Sequence, residues 1–292
     1  MTQPRAPQAP RLFAILARAS PLAVVFRRGP SKHVQLIGWN RSDDSFKPGQ
    51  WFRGRIYERR SDLSPSGKLL VCFAATHRKG DQNATIISHP PFLTAFAEWR
   101  ISGAWGGGGL FEDETTLCLN HLRDFVWQNR GYTKNVSAES GLAIKLLGEH
   151  SGGGEDAPIY QNRRQRDGWR LIERGVVHDD RARGWRVYPR QVWEKPGLDG
   201  WRLREECFGI MRSAKPTYQL RICLLDRSGD LLADLGEADW ADWDGDGVVY
   251  AKAGRIYRLA AGMSCLAEAR LLHDFRVTHP SLVETPAEAL RW

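Results

Sequence analysis

The tripeptide Gly-Trp-Arg occurs three times in this chain at a constant spacing of 16 residues, beginning at Gly168, Gly184 and Gly200. Each copy opens a run in which apolar and charged residues alternate. A period of two is typical of a β-strand with one buried face. We therefore predict three consecutive antiparallel strands, joined by polar turns at 178–183 and 194–199, with Trp facing the core and Arg facing solvent.

The N-terminal part of the chain has the same strand-and-turn character. Apolar runs at 22–26, 34–39 and 46–52 are separated by turn residues such as Gly, Pro, Asn and Asp. Strands spaced about 10 to 12 residues apart form a meander rather than a βαβ unit. The sequence predicts an all-β fold, a meander of short antiparallel strands.

Two segments carry a resemblance to a known family. Ser64-Pro65-Ser66-Gly67-Lys68 precedes the apolar run 69–73 and resembles the S-P-D-G-K turn of the WD40-like repeat in bacterial TolB-type propellers, with Ser66 in place of the usual Asp. A second unit, 239–259, has the strand, turn, strand, Gly turn and strand of a propeller blade. The resemblance covers about a third of the chain and implies only a fold, because propellers host many unrelated activities. It implies a β-propeller-like meander of about five or six blades with a long polar insertion.

The domain organisation follows from shifts in composition. We divide the chain into a disordered tail at 1–10, a propeller-like half at 11–127, a polar insertion or hinge at 128–160, and a second propeller-like half at 161–292. The insertion is Gly-rich and has one predicted short helix at 137–147. Segments of this length without regular structure are often functional.

Composition places the chain among folded globular proteins. Of its 292 residues, 42% are hydrophobic and 26% are charged, so it is able to bury a core. No apolar run approaches the roughly 18 residues that span a bilayer, and we expect no membrane association. Arg18 interrupts the apolar residues around 12–16, so we expect no secretory signal and a cytoplasmic location.

The five cysteines are widely spaced and include no C-x-x-C pair. This pattern argues against a disulfide framework and a zinc site, and we expect no cofactor. Cys72, Cys118 and Cys223 lie inside apolar strand-like runs. A free thiol in such a run behaves as a small hydrophobic residue, and we predict that these three fill the core.

The chain is strongly basic, and its basic residues are mostly arginine. The formal net charge is +8, and 33 of the 42 basic residues are Arg. The segment 163–190 combines many Arg with Trp169 and Trp185, as in proteins that hold single-stranded nucleic acid. Alternation places the Trp side chains opposite the Arg, however, which favours a solvated basic face. The candidate partner-binding residues are Arg163, Arg164, Arg166, Arg181 and Arg183.

Three carboxylates match the opening of a calcium loop. Asp242, Asp244 and Asp246 followed by Gly give D-x-D-x-D-G. The later ligand positions hold Tyr250 and Ala253, which supply no carboxylate. We therefore predict an acidic hairpin turn and no metal site, with calcium binding as the alternative. The run Gly106 to Gly109 lacks the Lys and Ser/Thr of a phosphate-binding loop and is predicted to be a tight turn flanked by Trp105.

Three polar residues are candidates for a propeller's central channel. His89, Asn120 and His121 follow predicted strands, so they are expected at strand ends. The alternative is that they are structural or surface residues. No H-E-x-x-H or G-x-S-x-G motif accompanies them.

These observations favour a non-catalytic, cytoplasmic interaction module that binds a protein partner. The first alternative is an enzyme with its active site in the propeller channel, of hydrolase or lactonase type, which requires His89, Asn120 and His121 to converge. The second is sequence-independent binding of nucleic acid through an Arg-rich face, which predicts affinity that falls steeply with salt.

Overall fold

The structure is a computed structural model. It describes residues 8–29, 32–76, 83–101, 103–121, 136, 140–175, 179–180, 185–186, 190–210, 218–260 and 269–291. The chain divides into two compact units, which we call unit 1 (Met1–Arg163 and Val277–Trp292) and unit 2 (Arg164–Arg276). The prediction of an all-β protein built mainly from antiparallel strands is confirmed. Among the described residues there is one α-helix, α1 (Ile159–Arg166).

The first sheet of unit 1 is an antiparallel meander whose strands pair in sequence order. They are β1 (Arg11–Leu16), β2 (Leu22–Arg28), β3 (His33–Asn40) and β4 (Ser45–Arg53). Five consecutive residues of β2 are buried, so both faces of this strand are covered. A strand covered on both faces reads as a continuous apolar run, which is why 22–26 was recognisable from the sequence.

The second sheet of unit 1 follows directly. Its strands are β5 (Arg55–Ile56), β6 (Asp62–Leu63), β7 (Leu70–Ala75), β8 (Asn83–Ser88) and β9 (Ala97–Ile101). The short strands β5 and β6 both pair with β7, and β8 and β9 continue the meander. Every residue of β7 is buried, so this strand lies at the centre of the core.

A third sheet of unit 1 corrects the predicted helix at 137–147. It contains β10 (Gly109–Phe111), β11 (Thr116–Leu119) and β12 (Ala143–Leu146), and β12 pairs in parallel with β11. Ile144 and Leu146 pack on a core that includes Phe111, while Lys145 is exposed. This alternation follows the period of a strand, and pairing with β11 decides the conformation. Residues 137–139 lie outside the described part of the chain.

The first sheet of unit 2 has the strand order β13-β16-β17-β18-β19. These strands are β13 (Arg170–Arg174), β16 (Gln191–Pro196), β17 (Arg202–Ile210), β18 (Tyr218–Leu225) and β19 (Leu231–Gly236). Two short strands, β14 (Asp179–Asp180) and β15 (Trp185–Arg186), pair with each other in the connection between β13 and β16.

The Gly-Trp-Arg prediction is therefore correct in part. The first and third copies open β13 and β17, and Trp169 is buried in the core as expected. The three strands are not consecutive neighbours, however, because β16 separates β13 from β17 and the second copy forms β15. Trp193, which no repeat marks, is the most deeply buried Trp of this core.

The last sheet of unit 2 is a meander of β20 (Trp240–Asp244), β21 (Gly247–Lys252), β22 (Arg255–Leu259) and β23 (Arg270–Asp274). Asp244 lies opposite Gly247, so Gly245 and Asp246 form a two-residue hairpin loop. Gly245 has a φ of +61°, which Gly adopts without the penalty that a Cβ brings. The acidic hairpin turn is confirmed.

The cores contain the residues that strand periodicity selects. Cys72, Cys118 and Cys223 are buried, as predicted, and burial raises the pKa of Cys72 to about 12. No helix in the described ranges is long and apolar enough to cross a membrane. The strand pairings among the described residues close no barrel, and a propeller arrangement is not confirmed.

Candidate partner-binding loop

Trp105 is the most exposed large aromatic side chain among the described residues. It is 79% exposed, although it lies in unit 1 between the buried strand β9 and the strand β10. We call the segment 103–108 the Trp105 loop. Its sequence is Gly-Ala-Trp-Gly-Gly-Gly, so Trp105 is its one large side chain.

The glycines of the Trp105 loop allow its backbone to pack directly on the core. Gly107 and Gly108 both have a φ of +88°, a region that other residues rarely adopt. A Cβ on Gly107 would lie 2.5 Å from the Phe73 ring, and one on Gly108 would lie 2.2 Å from the Arg60 carbonyl oxygen. Only glycine fits these two positions, so the glycine run has a steric role.

Arg60 holds the loop from behind. Its guanidinium donates hydrogen bonds to the carbonyl oxygens of Ala104 (2.8 Å) and Gly106 (2.7 Å), on either side of Trp105. The Arg60 side chain is buried and stacks over the rings of Tyr57 and Phe73 at 4.4 and 5.2 Å. A charged donor fixed in an aromatic setting leaves the loop backbone little freedom.

Asn120 joins the Trp105 loop to the Gly-rich segment at 152–154. Its side-chain amide donates to the carbonyl oxygens of Gly107 (3.1 Å) and Gly152 (3.0 Å), and its Oδ1 accepts the N–H of Gly152 (2.9 Å). The N–H of Gly154 donates to the Trp105 carbonyl oxygen at 3.0 Å. The main chain around Trp105 is thus bound on both sides while the indole projects into solvent.

His121 and Thr85 form the layer beneath Asn120. The Thr85 hydroxyl oxygen accepts the Gly108 N–H at 2.7 Å, so its own proton is available to His121 Nε2, 3.0 Å away. Burial lowers the pKa of His121 to about 4, and the ring is neutral near pH 7. Thr85 and His121 are 0% and 3% exposed. The pair is closed to solvent and supports the Trp105 loop through the bond from Gly108 to Thr85.

Two ion pairs hold the segment that follows the glycines bonded to this loop. Arg55 pairs with Glu155 and Arg59 with Asp156, which binds the segment 152–156 to the second sheet of unit 1. Burial opposes ionisation of Glu58, but the neighbouring Arg28 and Arg55 hold its pKa below the usual value. These contacts fix the supporting segment while their charges largely cancel.

The structure places the three channel candidates in two locations. Asn120 and His121 lie together under the Trp105 loop, as described above. His89 is elsewhere in unit 1: its Nδ1 lies 2.7 Å from the Lys68 carbonyl oxygen and its Nε2 lies 2.9 Å from that of Arg291. His89 therefore connects the C-terminal segment to the turn after β6.

The candidate partner-binding arginines mostly have internal contacts. Arg163 is buried and donates to the carbonyl oxygens of Glu58 and Ser61. Arg164 is buried in unit 2, where it pairs with Glu205 at 2.9 Å and stacks between two Trp rings. Arg166 pairs with Asp167. Arg181 and Arg183 lie outside the described residues.

The solvent-facing side of the first sheet in unit 2 carries arginines that alternate with carboxylates across the strands. The pairs are Arg190 with Glu173 and Glu206, Arg202 and Arg204 with Glu194, and Arg221 with Asp234. A face whose cations are matched by neighbouring anions offers less net charge to a phosphate backbone than its Arg content suggests.

The acidic turn is also compensated internally. Asp242 lies 2.6 Å from Lys195, and Asp244 lies 2.7 Å from Arg258. Within the described ranges, no group of three or more His, Cys, Asp or Glu side chains is placed to hold a metal ion.

The sequence marked the Trp105 loop only through its glycines. From the sequence, Asn120 and His121 were candidates for a propeller channel, and Arg60 was not a candidate for any site. A large aromatic residue isolated in a Gly-rich segment, outside any alternating pattern, was the available signal for an exposed side chain.

Comparisons with known proteins add little. No protein-family model matches this chain, and no curated protein matches it. An uncharacterized protein from Listeria monocytogenes EGD-e, known from a crystal structure, is similar over 95% of this chain and 98% of its own, with 8% identity and a TM-score of 0.39. A similarity at this level supports no inference about fold or function.

Proposed function

We propose that this protein is a non-catalytic, cytoplasmic interaction module that binds a protein partner through the Trp105 loop. The observation that carries the proposal is an indole that is 79% exposed on a backbone held by Arg60, Asn120 and Gly154.

An exposed Trp is unfavourable in water unless something covers it. Trp is among the residues that contribute most to binding when they enter a pocket on a partner. Fixing the loop before binding lowers the conformational entropy lost on association, since little backbone remains to be ordered. The Trp105 loop combines these two features.

The alternatives have less support. An active site built on His121 lacks solvent access, because both His121 and its partner Thr85 are buried. Binding of nucleic acid through the sheet face of unit 2 is opposed by the carboxylates that pair with its arginines. Binding of a protein partner requires neither solvent access to His121 nor an uncompensated basic face.

The propeller-like organisation is part of the same proposal. Sheets that add strands in sequence order, as β1 to β4 and β20 to β23 do, have the pairing order of propeller blades. An experimental structure tests this, and sheets that do not radiate around a common axis would contradict it.

The binding proposal is tested with three forms of the full chain: wild type, Trp105→Ala and Leu282→Ala. Leu282 is 92% exposed in the same unit and serves as the matched control. Proteins captured by each form are quantified by mass spectrometry, and the interaction is then measured with purified components. We expect a partner whose affinity falls by about 30-fold or more in Trp105→Ala and is unchanged in Leu282→Ala. Equal capture of every protein by all three forms would overturn the proposal.

A further inference from the structure

Strand β13 is an edge strand that buries none of its side chains. All five residues, Arg170 to Arg174, are exposed, including Leu171 (38%) and Ile172 (55%). The opposite edge of the same sheet, β19, differs: Leu231 is exposed, but Ala233 and Leu235 are buried. An edge strand with apolar residues and no covered face is a template for pairing with another strand.

On its inner side β13 is held by the ladder with β16 and by Arg190, whose guanidinium lies 3.0 Å from Glu173. A β-bulge between Leu171 and Glu173 leaves Ile172 without an opposite residue in β16. Its outer edge has no strand partner among the described residues. Arg170 and Arg174 have no ion-pair partner there either.

The sequence of β13 is complementary to itself. When Arg170-Leu171-Ile172-Glu173 is set antiparallel to a second copy, with the two-fold axis between Leu171 and Ile172, each Arg170 faces a Glu173 and each Leu171 faces an Ile172. Opposite charges and apolar pairs directly across two strands are both stabilising. A two-fold contact of this kind uses the same surface on both molecules.

The bulge selects this register over its neighbour. Arg170 lies opposite Glu194 and Glu173 lies opposite Val192, two residues apart in β16, so Arg170 and Glu173 point to the same face of the sheet and can meet across a two-fold axis. If the axis moves to Ile172 itself, Leu171 would have to face Glu173. These two residues lie opposite Trp193 and Val192 and therefore point to opposite faces, which excludes that register.

We infer that β13 pairs antiparallel with β13 of a second copy of this chain, which extends the sheet of unit 2 across a homodimer. The contact is small and belongs with weak, transient interfaces. It is independent of the Trp105 loop, which lies in unit 1.

The test is a charge exchange on the full chain, measured by sedimentation velocity at up to about 200 μM, the range suited to a weak interface. The variants are Arg170→Glu, Glu173→Arg and the double variant that carries both changes. In each single variant, like charges face each other across the axis, and we expect a loss of dimer. The double variant restores opposite charges and is expected to dimerise like the wild type.

An equimolar mixture of the two single variants is the decisive sample. The Arg170→Glu chain has carboxylates at positions 170 and 173, and the Glu173→Arg chain has guanidinium groups at both, so opposite charges meet at both pairs. We expect dimers in the mixture and monomers in each single variant on its own. Misfolding of either variant would not produce this result. Both single variants are expected to fold, since Glu173 and Arg190 lie on the surface, where an ion pair contributes little to stability.

Two lysine variants complete the design. Ile172→Lys is expected to abolish the dimer, and Leu231→Lys, with the same 55% exposure on the opposite edge, is expected to retain it. A wild type that stays monomeric throughout the concentration range overturns the inference. A dimer insensitive to the charge exchange and to Ile172→Lys also overturns it, because another surface would then form the contact.

Discussion

Glu114 accepts a hydrogen bond from the backbone N–H of Ser66, 48 residues earlier in the chain, with 2.8 Å between the nitrogen and Oε2. Its Oε1 also accepts the hydroxyl of Ser66. Ser66 occupies the position where the resembling propeller turn has Asp. A carboxylate is thus present at this turn, but it belongs to Glu114, which lies in the turn before β11.

This arrangement predicts coupling between the two positions. Glu114→Gln is expected to cost about 1 kcal/mol, the usual range for a hydrogen bond to a charged group that is partly exposed. Ser66→Asp is expected to destabilise the wild type through repulsion by Glu114, and to do so less in the Glu114→Gln background. Urea denaturation of the four proteins measures the coupling, and additive changes would contradict it.

The buried His121 predicts a pH dependence of stability. Its pKa in the folded protein is about 4, below the 6.5 of the unfolded chain, so below pH 6.5 the unfolded state binds a proton that the folded state does not. The contribution of this group is constant above pH 6.5 and is lost as the pH falls towards 4, by an amount on the order of 3 kcal/mol. The free energy of unfolding of the wild type and of His121→Gln is measured from pH 7.5 to 4.5 in steps of about half a unit. The difference between the two profiles isolates the contribution of His121. Parallel profiles for the two proteins would count against it.

The Trp105 loop predicts that two glycines with similar φ differ in their tolerance of alanine. Gly108→Ala places a Cβ against the backbone of Arg60, and we expect a loss of about 2 to 4 kcal/mol from overpacking and left-handed strain. Gly103 has a φ of +76° and open space around it, so Gly103→Ala is expected to lose only about 1 to 2 kcal/mol. Chemical denaturation compares the two, and equal losses would mean that the close approach to Arg60 is unimportant.

The buried ion pair of Arg164 and Glu205 is expected to contribute strongly to stability, although the sequence analysis made Arg164 a candidate partner-binding residue. Both side chains are 6% exposed, and Arg164 lies 4.7 and 4.5 Å from the rings of Trp169 and Trp193. Glu205→Gln leaves the guanidinium buried without its carboxylate, and we expect a loss of about 3 to 5 kcal/mol. Asp234→Asn, which removes the exposed partner of Arg221, is the control, with an expected loss under about 1 kcal/mol. Similar losses at the two sites would show that burial does not increase the contribution of the ion pair to the free energy of unfolding.

Trp105 itself is expected to contribute little to folding. Because its indole is largely exposed, Trp105→Ala should change the free energy of unfolding by no more than about 0.5 kcal/mol. Arg60→Met, in contrast, removes the donor to Ala104 and Gly106 and should destabilise the protein by about 2 kcal/mol or more. Thermal denaturation of both variants provides the measurement. A destabilised Trp105→Ala would indicate that the indole packs on the protein.

The sequence by itself determined most of the local structure. Continuous apolar runs of strand length located β2, β7 and β21, and the Asp-Gly run at 244–247 indicated a hairpin turn, because both signals depend only on neighbouring residues. Cys72 in an apolar run was recognisable as core for the same reason.

Only the tertiary structure decided the roles of the polar residues. β12 became a strand because β11 offered it an edge, and Arg164 became a core residue because Glu205 and two Trp rings enclose it. The exposure of Trp105 depends on Arg60 and Asn120, which are 45 and 15 residues away in the sequence (105 minus 60, and 120 minus 105). Periodicity reports which face of an element is buried, but a charge or an isolated loop residue is placed by distant contacts that no local pattern encodes.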